Sequence, residues 1–145
     1  MTNVNSKFRF LAVFLGVILS FFPVLMVWIS FIAPQAGNIV PILFMLIFAY
    51  FLLTEFRKRA CKININNENI VLRRYFGLGK SKIYDFKRLD GFITSFQSGK
   101  GETYEYLFML EKGKRVACVS SFYHSNFDEL KEVLKEKMID LGVEN

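Results

Sequence analysis

Two apolar runs near the N-terminus constrain this chain more than any other feature. From Phe10 to Ile32 run 23 residues, "FLAVFLGVILSFFPVLMVWISFI", without a charge, and from Ala36 to Thr54 run 19 more, "AGNIVPILFMLIFAYFLLT". A bilayer core takes roughly 20 apolar residues as helix, so each run is long enough to span. Only "APQAGN" separates them, so the two spans form a hairpin with both ends on one side. Basic residues choose the side. Lys7 and Arg9 precede the first span, Arg57, Lys58, Arg59 and Lys62 follow the second, and the turn has none. Positive residues stay cytoplasmic, which predicts a plasma (inner) membrane protein with both termini inside. A cleaved signal peptide has an apolar core of about 7–15 residues, shorter than this run, and the hairpin is the better reading.

The spans offer little chemistry. Their polar side chains are Ser20, Ser30, Tyr50 and Thr54, with Glu55 at the inner boundary. Transporters usually keep an ionisable group within the membrane, and none lies mid-span here. Ala12, Gly16 and Ser20 make a stripe of small residues at four-residue spacing, suited to contact between the two helices or between subunits of a homo-oligomer. Pro23 and Pro41 read as kinks, and Trp28 as an interfacial anchor.

Residues 57–145 read differently. "ACKININ" alternates apolar Cys61, Ile63 and Ile65 with polar Lys62, Asn64 and Asn66, the pattern of a half-buried strand. "NIVLRRYF", "KSKIYDF", "GFITSFQS", "TYEYLFMLE" and "RVACVSS" follow, separated by tight turns, which predicts an antiparallel meander. "NFDELKEVLKEKMIDLG" then switches to helical spacing, with Phe127 and Leu130 as the expected deepest anchors. Asn126 and Glu129 have capping-box spacing, and Gly142 is placed to stop the helix.

The hairpin followed by "KININNENIVLRRYFGLGKSKIYDFKRLDGF" and a terminal "NFDELKEVLKEK" helix resembles the bacterial membrane proteins that carry a pleckstrin-homology-like domain. The resemblance lies in layout and strand–turn character and covers most of the chain. It implies seven strands, of which six are legible. It also implies a function, because phosphoinositide-binding pleckstrin-homology domains hold lipid phosphates with basic residues around early hairpin loops. Arg73, Arg74, Lys80 and Lys82 resemble that arrangement.

Reactive clusters are missing from the sequence. "YFGLGKSK" ends like a P-loop, but Gly79, Lys80 and Ser81 would need a glycine where Arg74 stands, and a strand pattern follows instead of a helix. His124 is the one histidine and has no triad or metal-spaced partner. Cys61 and Cys118 match no metal or redox motif and read as small core thiols. The reading is non-enzymatic, without cofactor or metal.

Charge is more informative. Residues 57–90 carry ten Lys/Arg against three Asp/Glu, whereas 91–145 carry seven against nine. The basic half adjoins the membrane, whose cytoplasmic leaflet is anionic. Arg57, Lys58, Arg59, Lys62, Arg74, Lys80 and Lys82 are therefore the candidate lipid contacts. Nucleic acid is not indicated, because no recognition helix or base-stacking motif accompanies the charge.

The chain thus reads as a membrane-anchored α+β protein. A cytoplasmic N-terminus (1–9) leads to a transmembrane hairpin (10–56, with spans of about 10–32 and 37–55). A cytoplasmic pleckstrin-homology-like domain (57–145) follows, an antiparallel β-barrel or sheet capped by a C-terminal helix at about 127–141. The expected role is a scaffold or adaptor that presents this domain to a protein partner, or that binds the lipid surface. The alternative is a subunit of a small-molecule carrier or channel assembled from hairpins.

Overall fold

The computed structural model describes residues 4–32, 39–99 and 101–144. The expected external turn at 33–38 lies outside these residues. Helix α1 (Phe10–Ile32) and helix α2 (Ile39–Arg59) lie against each other, and both are long and apolar enough to cross a membrane. Ala12 is the one buried residue of α1 among those described, and Ile39–Phe51 has none. Their leucines, valines and phenylalanines face outward, a surface that water would not tolerate. Pro23 lies inside α1, and Pro41 lies in α2 close to residues outside those described. A π-helical turn, Leu52–Phe56, interrupts α2 near its C-terminal end.

Among the described residues, eight strands form two sheets. The first has the order β1-β2-β3-β4, from Val4–Asn5, Lys62–Ile65, Asn69–Arg73 and Ser81–Asp85. The second has the order β7-β6-β5-β8, from Lys114–Ser120, Glu102–Glu111, Gly91–Gly99 and Asp140–Glu144. All six strands legible in the sequence are present, and two more flank them. Strand β1 precedes the hairpin and pairs with β2 directly after it, Val4 opposite Ile65. A two-residue strand has too little periodicity to be seen in a sequence. Strand β8 follows the terminal helix and pairs parallel to β5, which departs from the all-antiparallel expectation.

The two sheets do not close into the expected barrel. Strand β5 is hydrogen-bonded to β6 on one side and β8 on the other, so it has no free edge to offer β4. Gly91 makes the β5–β8 approach possible: its φ is +150°, and a Cβ there would stand 2.4 Å from the Ile139 carbonyl oxygen.

Helix α3 (Phe127–Lys137) covers the core, four residues shorter than the expected end at 141. Met138 turns extended, and Leu141 and Gly142, read as helix stripe and helix stop, belong to the exposed strand β8. Asn126 and Glu129 do meet, the Asn126 amide donating to the Glu129 carboxylate at 3.0 Å, but neither side chain caps a backbone N–H of the helix start. The Asn126 side chain instead accepts from the Lys7 backbone N–H at 2.8 Å and donates to the Asn5 carbonyl at 3.0 Å, tying the helix start to the segment before α1. Leu130 and Leu134 are fully buried, whereas Phe127 keeps 5% of its surface, so Leu134 replaces Phe127 among the deepest anchors. They pack with Ile63, Ile65, Ile70 and Leu72, alternate residues of β2 and β3, and with Phe92 and Leu107 from the second sheet. Each such side chain contributes about 1.5–3 kcal/mol by leaving water.

Candidate functional site

The hairpin and the sheets meet through an aromatic joint. Residues 4–9 are stitched into the sheet domain: Ser6 N–H donates to Ile63 O at 2.7 Å, and Arg9 N–H to Tyr123 O at 2.8 Å. Phe8 stacks on His124, their ring centroids 5.3 Å apart. His124 is completely buried, with Nε2 2.9 Å from the Cys61 carbonyl and Nδ1 3.2 Å from the Ser120 N–H. Nε2 donates to the Cys61 carbonyl, which can only accept, while Nδ1 faces both the Ser120 N–H and, at 3.1 Å, the Ser120 carbonyl. Burial lowers the pKa from its ordinary value, against the opposing pull of the Cys61 and Ser120 carbonyls, which favour the protonated ring. This histidine is a structural staple between β2 and the end of β7. Burial raises the Cys61 thiol to about 11, and that of Cys118 higher still, so both remain protonated and apolar in character.

The loop "YFGLG" is the other half of the joint. Tyr75 and Phe76 both adopt left-handed backbone angles, with φ of 52° and 55°, which cost on the order of 1–3 kcal/mol each for non-glycine residues. Phe76 N–H is held by Ala60 O at 2.7 Å, and the Phe76 ring meets those of Phe8, Phe56 and Tyr123 at centroid distances of 5.2, 5.7 and 6.1 Å. The same ring lies against Gly16 of α1, where an added Cβ would sit 3.1 Å from it. Ala12 is buried in this cluster. The small stripe of α1 therefore receives the aromatic turn of the sheet domain at Ala12 and Gly16, a contact that was not anticipated. A turn built from Tyr, Phe and Leu in place of Asn, Asp and Ser was the available signal, because such a turn has little reason to face water.

Directly beside this turn is a basic cavity of about 270 Å³. Arg57 at the end of α2, Arg74 after β3, and Lys80 and Lys82 around the start of β4 all line it, and no acidic residue does. Lys80 immediately precedes β4 and Lys82 lies within it, and both line the cavity. Arg73 and Arg74 are adjacent and diverge: Arg73 is exposed opposite Lys62, while Arg74 turns inward. Four of the seven residues singled out for lipid contact are thus brought together.

The other three lie elsewhere. The Lys62 stem passes under Gly77, with Cδ 3.0 Å from where a Cβ would be. Lys58 and Arg59 line a second cavity, of about 550 Å³, between the end of α2 and β7; it shares Arg57 and Arg74 with the first. Arg59 is engaged already, with Glu55 at 3.1 Å, the Gln97 side-chain oxygen at 2.9 Å and the Tyr106 ring at 5.2 Å. Arg115 of β7 also faces the second cavity, but it lies over the Phe108 ring and pairs with Glu144. Sequence reasoning overlooked Arg115 because it sits in the acidic half.

What the first cavity can do follows from its donors. Guanidinium and ammonium groups without a facing carboxylate attract a phosphate or similar oxyanion. Among the described residues, no three His, Cys, Asp or Glu side chains are grouped to hold a metal ion. No family model, curated protein or solved structure matches the chain.

Proposed function

We propose that this is a non-enzymatic membrane protein whose pleckstrin-homology-like domain is held against the cytoplasmic leaflet and binds anionic lipid headgroups there. The carrying observation is the convergence of Arg57, Arg74, Lys80 and Lys82 on one cavity at the foot of two span-length apolar helices. Each cation near an anionic leaflet adds on the order of 1 kcal/mol of attraction, so four together bias lipid composition locally. The orientation rests on the positive-inside pattern of Lys7, Arg9 and Arg57–Arg59. A scaffold role is compatible with the same anchoring, and β4 supports it: the strand is an edge of its sheet, with Ile83 68% exposed.

The test uses the full chain, because residues 4–9 complete the first sheet. Purified protein is offered equal amounts of anionic and zwitterionic phospholipid in detergent, and retained lipid is weighed by native mass spectrometry. The expected result is anionic enrichment that Arg74→Gln with Lys80→Gln and Lys82→Gln removes, without loss of fold. Equal retention of both lipids by the native sequence sinks the proposal. Solute flux from reconstituted vesicles would instead favour the carrier or channel alternative.

A further inference from the structure

Tyr75 lines two cavities at once. On one side is the basic cavity; on the other is an apolar one of about 410 Å³ between α1 and the turn. The apolar cavity follows α1 from Val13 to Val24. At 1.5 Å per residue those eleven steps cover about 16 Å, close to one leaflet's half of a ~30 Å hydrocarbon core. Its foot is closed by Phe56, Phe76 and Leu78. The Ser20 hydroxyl is the only polar side-chain group on the α1 wall, and it is turned back onto the Gly16 carbonyl at 2.8 Å.

The partition between the cavities is abrupt. Consecutive residues of α2 face opposite ways, Phe56 into the apolar cavity and Arg57 into the basic one. Leu78, at the tip of the turn, is 91% exposed and lines the apolar cavity, while its neighbour Phe76 meets α1 at Gly16. Gly16 stands six residues into a 23-residue helix, about 9 Å from its start, so the turn reaches the acyl edge of the leaflet. A four-cation cavity adjoining an apolar slot of leaflet depth has the profile of one phospholipid molecule.

We infer that the two cavities form one site for a single anionic phospholipid, with its phosphate among Arg57, Arg74, Lys80 and Lys82 and one acyl chain lying along α1 beside Val17. The inference rests on the lipid-binding reading and adds to it a defined stoichiometry and a contact to the chain. The strained Tyr75–Phe76 backbone has a role in this arrangement, since it sets the aromatic wall that separates headgroup from tail.

The chain has one tryptophan. The Trp28→Phe, Leu78→Trp variant of the full chain therefore carries a single reporter at the foot of the slot. It is reconstituted in vesicles of fixed total phosphatidylglycerol and phosphatidylcholine, with brominated acyl chains placed on one lipid or the other. Brominated phosphatidylglycerol should quench at a mole fraction lower by about fivefold or more, the equivalent of at least one cation's attraction. Val17→Phe, on an outward-facing position, should fill the slot and abolish the preference; Val24→Phe does the same at its far end should the first variant fail to fold. Arg74→Gln with Lys80→Gln and Lys82→Gln should abolish it as well. Loss of preference in both sets supports the single-lipid site. If the basic variant loses the preference and the filled variants keep it, headgroup binding stands and the acyl slot is overturned. Equal quenching by both lipids in the reporter protein overturns both.

Discussion

The hairpin and the sheet domain satisfy their polar groups in opposite ways. Among the described residues of the hairpin, the serine and threonine hydroxyls bond locally: Ser20 to Gly16, Ser30 to Met26 and Thr54 to Tyr50, each four residues back. In the sheet domain the buried bonds reach across the chain, from Ser6 to Ile63 and from His124 to Cys61. The first pattern suits a segment whose surroundings offer no donors or acceptors, so each helix must be self-sufficient. The second suits a core that excludes water by joining distant segments. The hairpin is thus stabilised by what surrounds it, and the sheet domain by what it encloses. The aromatic joint is where one regime gives way to the other.

Substitutions can break this contrast, and the largest effect should be in the enclosed core. Leu134→Ala leaves a cavity under α3 and should cost about 3 kcal/mol in chemical denaturation of the full chain. Leu46→Ala on the outward face of α2, where 63% of the side chain is already exposed, should shift the same midpoint by less than about 0.5 kcal/mol. Equal effects at the two positions would remove the distinction.

The joint should lie between these extremes. Phe76 is only partly buried, so Phe76→Ala should cost about 2 kcal/mol, less than for a fully buried ring. Its sharper signature should be local. Hydrogen exchange should accelerate at the Phe76 and Arg9 amides while the α3 amides keep their protection. Uniform loss of protection would mean that the joint belongs to the domain core.

The smallest effect should come from pH, through His124. Its folded pKa lies below the ordinary 6.5 because burial disfavours the charged form. Above pH 6.5 the ring is neutral folded or unfolded, so stability is unaffected. As pH falls below that value the unfolded chain takes up a proton that the folded chain resists, and stability declines until the folded pKa is passed. Denaturation midpoints should therefore drop between pH 7.5 and 5. In His124→Gln, less stable throughout, that part of the slope should disappear. An unchanged slope would show that other groups dominate.

Helix and strand identities were largely legible because they depend on periodicity within a window. Cys61, Ile63 and Ile65 alternate, and all three are buried; Leu130 and Leu134 repeat at one helical turn, and both are fully buried. Helix ends were less legible. Nothing local distinguishes an Asn126 that caps its own helix from one that bonds Lys7, more than a hundred residues away. The candidate site was half visible. Lys80 and Lys82 are neighbours by spacing, but the inward turn of Arg74 and the approach of Arg57 depend on where α2 ends relative to β3.

Two uncharged runs of membrane-spanning length and a period-two pattern suffice to establish a helical pair followed by sheets, since hydrophobicity and spacing act on neighbours along the chain. The pairing of β1 with β2 across the whole hairpin, the open edges left when β8 occupies the side of β5, and the seating of Phe76 against Gly16 follow from tertiary contact alone. Each is a choice among partners distant in sequence, made by which surfaces exclude solvent together and which backbone groups then remain to be bonded.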